Sequence, residues 1–139
     1  MKNLLLLLLI ISLFSCEKND NIDVLPEYKV NMTINLDLPQ YINLQTPTGW
    51  AYASGGIQGI FVQNTGTGNP NFKAFERACP NYDCSNPMTF DGSLKLKCSC
   101  DDSEYSILDG SPQNAGNKNY AREYKVTVIN SKTLNISNF

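Results

Sequence analysis

Chemistry in this chain must come from a short list of side chains, and its cysteines lead that list. Cys16 stands alone near the start, while Cys79, Cys84, Cys98 and Cys100 follow with the spacing Cys-x4-Cys-x13-Cys-x-Cys. Four thiols so arranged can pair as disulfides, ligate zinc or an all-cysteine cluster, or work as an exchanging dithiol. Each use makes a demand. A one-residue gap is unusual for tetrahedral metal sites. Exchange needs a cation to lower a thiol pKa, and beside Cys79 and Cys98 in sequence only Arg77 and Lys97 are positive. Of the three disulfide pairings, Cys98 with Cys100 is geometrically the poorest, because alternate strand residues project the same way about 7 Å apart. Asp101, Asp102 and Glu104 form a short acidic run able to attract calcium or act as paired carboxylates, although such a run on an exposed loop is expected to be solvated. Histidine is absent from all 139 residues, which removes the commonest metal ligand and any Ser–His or Cys–His catalytic pair. No catalytic residue is expected.

The first 15 residues point to the compartment. Met1-Lys2-Asn3 precedes an apolar run over 4–14 broken only by Ser12, then Ser15 and Cys16, the pattern of a signal peptide. At ~1.5 Å per residue the run spans about half of a ~30 Å hydrocarbon core, too little for a transmembrane helix. Leu13-Phe14-Ser15-Cys16 resembles the bacterial lipobox, which implies that Cys16 is acylated and becomes the first mature residue. Each buried acyl methylene stabilises attachment by about 0.8 kcal/mol, so several chains would hold a water-soluble domain at the bilayer of the cell envelope. Residues 16–27, polar and poor in apolar side chains, read as the lipidated N-terminus and a flexible tether, and 28–139 as one domain. The other four cysteines then form an even set in an oxidising compartment, where disulfides are the default. Eleven basic against 13 acidic residues are too balanced for a nucleic-acid surface. The expected partners are the membrane, through the lipid, and an unknown envelope protein or ligand.

Two segments carry a resemblance to a family. Ala78-Cys79-Pro80-Asn81-Tyr82-Asp83-Cys84 resembles the first cluster loop of Rieske proteins, Cys-x-His-x-x-Cys. Leu96-Lys97-Cys98-Ser99-Cys100-Asp101-Asp102-Ser103-Glu104-Tyr105 is similar to the second, Cys-x-Cys-His-Gly-Ser-x-aromatic. With weaker likeness at Gly55-Gly56-Ile57-Gln58-Gly59-Ile60, Phe75, Gly110 and Tyr124-Lys125-Val126, it spans about residues 30–137. In that family two thiolates hold one iron and two imidazoles the other. The resemblance puts Cys79 and Cys98 at the thiolate positions and Asn81 and Asp101 where the histidines belong. Asn is a weak iron ligand and Asp adds charge. Asp102 replaces a glycine, and Ala115-Gly116-Asn117 departs from the Gly-Pro-Ala covering loop. These departures imply a degenerate site with no metal and no cofactor expected; the alternative is a 2Fe-2S electron carrier with atypical ligands. The resemblance further implies a Cys84–Cys100 disulfide, whose loop of about 16 residues is worth on the order of 3 kcal/mol, and leaves Cys79 and Cys98 close enough for a possible second bridge. Ser103 and Tyr105 match hydroxyl donors to the cluster; without one they are expected to cap a turn and fill a core edge.

Many short strands are needed to position these loops. From Val30 the apolar residues Met32, Ile34, Leu36 and Leu38 alternate with polar ones, predicting a strand with one buried face that ends at Pro39. Residues 41–44 and 57–63 read as further strands. Asp91-Gly92 between Met88-Thr89-Phe90 and Leu94-Lys95-Leu96-Lys97-Cys98 predicts a tight hairpin with Leu94, Leu96 and Cys98 on one face. A strand over 105–108 and a final hairpin of Tyr124-Lys125-Val126-Thr127-Val128 with Leu134-Asn135-Ile136 complete the pattern. No mature segment of ten residues keeps a helical period. Tyr41, Trp50, Tyr52, Phe61, Phe72 and Phe75 read as core or rim aromatics. The expected fold is all-β, a small Rieske-like sandwich or barrel of short antiparallel strands with two cysteine-bearing loops. The expected function is that of a non-enzymatic envelope lipoprotein with a disulfide-stapled binding or structural module, with an electron carrier and a redox dithiol as rivals.

Overall fold

The central pair of strands is buried on both faces and organises everything else. In a computed structural model, which describes residues 24–138, β3 (Ile60–Asn64) and β4 (Phe72–Glu76) pair antiparallel, with Phe61 opposite Phe75 and Val62 opposite Ala74. Because successive side chains alternate faces, Ile60, Val62, Phe72 and Ala74 enter one apolar cluster while Phe61 and Phe75 enter another. β1 (Asn31–Asn35), β2 (Trp50–Ala53), β8 (Glu123–Asn130) and β9 (Thr133–Ser137) extend this pair into a six-stranded antiparallel sheet of order β1-β9-β8-β4-β3-β2. Ile34, Leu134, Ile136, Tyr124 and Val126 complete the first cluster from the flanking strands. The fold is all-β, and the expected final hairpin joins β8 to β9 through Ser131 and Lys132.

A second sheet of very short strands covers the other face. β5 (Thr89–Phe90), β6 (Lys95–Lys97) and β7 (Glu104–Ser106) pair in that order, and Met88, Leu96, Tyr105 and Ile107 bury fully with Phe61 and Phe75. Its turns share one device. Asp91, Asp101 and Asp109 each accept, through one carboxylate oxygen, the backbone N–H and the hydroxyl of the serine two residues on, Ser93, Ser103 and Ser111. This is the local side-chain bonding that makes Asp and Ser turn residues.

One buried carboxylate ties the β2–β3 connection and the segment after β4 to β8. Glu76, fully buried at the end of β4, accepts backbone N–H bonds from Ile57 (2.8 Å), Gln58 (2.9 Å) and Ala78 (2.9 Å) and the hydroxyl of Tyr124 (2.6 Å). Its Oε2 lies where a side chain at Gly56 would start, and Gly56 has φ +63°, so only glycine fits without displacing it.

Several elements differ from expectation for visible reasons. Residues 41–44, expected as a strand, lie in a 3-10 helix, Pro39–Gln45, because Pro39 presets the first turn and buried Leu44 faces the core. The strand expected from Ile57 starts at Ile60, since the N–H groups of Ile57 and Gln58 are committed to Glu76. Strand β1 is shorter than 30–38, though Val30, Ile34 and Leu36 are buried as the alternation requires. Leu94 does not share a face with Leu96 and Cys98; it sits exposed in a four-residue connection, 91–94, longer than a tight turn. Strand β7 covers 104–106, and Leu108 lies exposed in the turn after it. Strands β2 and β4 were not anticipated. Leu25, in the expected tether, is buried, and Arg122 donates to the carbonyls of Leu25 (2.7 Å) and Pro26 (2.8 Å). The signal segment, Cys16 and most of the tether lie outside the described residues.

Candidate functional site

Two loops and one polar connection meet at one end of the small sheet. The first loop, 77–88, leaves β4; the second, 98–103, turns back from β6 to β7; the third, 113–120, leads toward β8. The second is closed by the Cys98 N–H donating to the Ser103 carbonyl (2.9 Å) and bends through Asp102 at φ 58°. The first tightens where the Tyr82 N–H reaches the Cys79 carbonyl (2.8 Å), with Tyr82 at φ 54°. Asp tolerates this left-handed region better than most residues, and Tyr poorly.

Two crossed disulfides staple the loops. Cys79 pairs with Cys98 and Cys84 with Cys100, with Cα–Cα distances of 5.9 and 5.7 Å. The inner pair is 1% and 0% exposed and packs among Leu96, Tyr105 and Phe61; in the outer pair Cys84 is buried and Cys100 exposed. The cations that a reactive dithiol would need are engaged elsewhere. Arg77 stacks over the Tyr52 ring at 3.6 Å and donates Nε to the Met88 carbonyl, and Lys97 pairs with Asp102 at 3.0 Å.

At the tip, Asn81 and Asp101 bond each other. Asn81 donates Nδ2 to Asp101 Oδ2 at 3.2 Å and accepts from Asn119 Nδ2 at 2.8 Å. The Ser103 hydroxyl, with its backbone N–H and Asn81, holds the Asp101 carboxyl below the ordinary carboxylate range. Tyr105 is fully buried and accepts Asn117 Nδ2 at 2.6 Å, while burial pushes its phenol up. The acidic run is split among separate partners: Asp101 takes Ser103, Asp102 takes Lys97, and Glu104 takes Lys95 at 2.7 Å. No group of three His, Cys, Asp or Glu side chains converges as a metal site among the described residues.

The three loops enclose an open hollow of about 450 Å³, lined by Asn81, Asp101, Ser103 and residues 114–119. It offers amides, one carboxylate, one hydroxyl and one lysine ammonium. That set can hydrogen-bond a polar ligand but contains no paired nucleophile and base. The third loop's part in it was not read from the sequence. Asparagines at 114, 117 and 119 were a signal, but only as a dense polar tract. The aromatics divide between core and rim: Phe61 and Phe75 are fully buried, Phe72 nearly so, Tyr41 partly, and Trp50 is 36% exposed against Tyr52 and Phe90.

No protein-family model, curated protein or solved structure matches the chain. Fold and site together define a class: a small all-β domain whose two cysteine loops are cross-stapled beside a polar hollow.

Proposed function

We propose that this protein is an exported lipoprotein, held at the bacterial cell envelope by acyl chains on Cys16, whose degenerate Rieske-like domain works without a cluster as a binding module. On this reading it binds and does not catalyse, with a two-iron electron carrier as the rival. The observation that carries the reading is the state of the donor set. Cys79 and Cys98, at the thiolate positions, are spent on each other, and Asn81 and Asp101, at the imidazole positions, hydrogen-bond each other. A two-iron cluster needs two thiolates and two neutral imidazoles, so the residues present do not fit it. What remains at that end of the domain is the polar hollow.

The test is iron and acid-labile sulfide content, with a visible spectrum, on mature protein taken from the envelope and after anaerobic reconstitution. Colourless, iron-free protein in both samples is expected; iron near two per chain in either would overturn the reading in favour of electron transfer. The anchor is tested separately by the mass of the N-terminal peptide, which should begin at Cys16 and carry acyl chains, and by Cys16→Ala, which should release the protein from the membrane fraction.

A further inference from the structure

The binding-module reading leaves the ligand open, and the chemistry of the hollow narrows it. We propose that the hollow bounded by Asn81, Asp101, Asn114 and Asn119 recognises an uncharged sugar through the hydroxyl groups of its ring, an inference that rests on the cluster-free reading. Each sugar hydroxyl both donates and accepts a hydrogen bond, and each asparagine amide presents a donor and an acceptor on one plane. Part of this inventory is used in shaping the wall. Asn81 bridges Asp101 and Asn119, and Asn114 Oδ1 accepts the Glu104 N–H at 2.5 Å. Asn114 Nδ2 and Asn119 Oδ1 carry no hydrogen bond among the described residues. A donor and an acceptor therefore stand free on the same rim. Asp101, held ionised by Ser103, adds an acceptor that favours hydroxyl donors.

The other ligand classes fit less well. An acyl chain or a nucleobase needs apolar walls, and here only Ala115 and Gly116 lack a polar side chain. An anion would meet Asp101 as well as Lys118, so the charge of the lining nearly cancels. A volume of about 450 Å³ lies in the ~300–1,000 Å³ range of small-molecule sites. Tyr82 and Tyr120, next in the chain to Asn81 and Asn119, are 55% and 46% exposed. Exposed phenol rings offer an apolar face to the C–H side of a sugar and a hydroxyl at the edge.

Isothermal titration of the full mature chain in detergent tests this, with maltose, cellobiose and N,N′-diacetylchitobiose as neutral probes and glucuronate and inorganic phosphate as charged ones. At least one neutral disaccharide should bind saturably with a dissociation constant of about 1 mM or tighter. The double substitution Asn114→Ala/Asn119→Ala should weaken it about tenfold, the loss of one to two hydrogen bonds. Asp101→Asn, which keeps one acceptor for Ser103 but removes the charge and the acceptor for Asn81, should weaken it several-fold, while Asn135→Ala on β9 should leave it unchanged. Folded protein that binds no neutral sugar overturns the proposal, as does tighter binding of glucuronate or phosphate that vanishes in Lys118→Ala. Iron measured on the same preparation separates the failures: two irons per chain sink the cluster-free reading, whereas iron-free protein without sugar binding sinks only the sugar.

Discussion

The two layers of this domain are built on different physical terms. The six-stranded sheet has strands of four to eight residues and buries an apolar cluster drawn from six of them. Burial at roughly 25 cal/mol per Å² is what holds such a layer. The second sheet has strands of two and three residues, too short to present a face of their own. It leans on Phe61 and Phe75 from the large sheet and is otherwise fixed by two disulfides and three Asp-x-Ser turns. The lesson is that loops can be held at a site without long strands beneath them when covalent bonds and local turn chemistry add to the burial of a few side chains.

The largest single loss is expected at Glu76, where the β2–β3 connection, the start of the first cysteine loop and β8 meet. Glu76→Ala leaves one buried and two part-buried backbone N–H groups and the buried Tyr124 hydroxyl without their acceptor. Each unsatisfied buried donor costs about 1–3 kcal/mol, so a loss on the order of 4 kcal/mol is expected in denaturant unfolding of the oxidised protein. A loss under about 1 kcal/mol would mean that water replaces the carboxylate and that other contacts hold these connections against the large sheet.

The disulfides give the next effect. They span 19 and 16 residues, so chain entropy alone predicts nearly equal contributions of about 3 kcal/mol. Replacing the inner pair by alanines should cost more than replacing the outer, because its sulfurs fill the core beside Leu96 and Tyr105. In either double variant, hydrogen exchange should quicken first at β6 and β7 and leave β3 and β4 protected. Limited reduction of the native protein followed by alkylation and mass mapping should label Cys84 and Cys100 before Cys79 and Cys98, since only the outer bridge has an exposed sulfur-bearing residue, Cys100. Uniform loss of protection across both sheets would show one cooperative unit instead of two layers.

Legibility in the sequence follows the same division. The β8–β9 hairpin and the alternation at Ile34 and Leu36 were readable because one face is wet and the other dry. Strand β2 hid because its small residues point inward: Ala51 and Ala53 are buried while Trp50 reaches the rim. Strand β4 hid because both of its faces are covered, which erases alternation, and because Lys73 and Glu76 interrupt the apolar run. At the site, the positions of the four cysteines and of Asn81 and Asp101 were legible from a motif spacing. The bond between Asn119 and Asn81 joins residues 38 apart, and no local pattern encodes such a contact. The three Asp-x-Ser turns were visible as letters, but their shared role emerges only when each is seen closing a turn of the small sheet.

Acid should separate the layers more gently than mutation does. Serine hydroxyls and backbone N–H groups hold Asp91, Asp101 and Asp109 below the ordinary carboxylate range, each through Ser93, Ser103 or Ser111 first. A carboxyl whose folded pKa is depressed contributes stability above its unfolded value, ~3.9, and loses it as pH falls through the folded value. All three lie in turns of the small sheet, so amide protection factors there, taken relative to intrinsic exchange, should fall below about pH 4 while the large sheet stays protected. Ser103→Ala should return the Asp101 titration, followed by carbon-detected NMR, toward its ordinary value.

The smallest expected effect concerns Asp102, which holds φ 58° in the second loop and pairs with Lys97 at 3.0 Å on the surface. Asp102→Gly relieves a left-handed backbone that costs a non-glycine residue up to about 1 kcal/mol, and loses an exposed ion pair of little net value. The variant should therefore be slightly more stable in moderate salt. At high salt the pair is screened and the backbone gain stands alone, so the advantage over the natural chain should widen as salt is raised. If it narrows instead, the Lys97 contact is holding the second loop in place, and turn chemistry alone does not fix the small sheet.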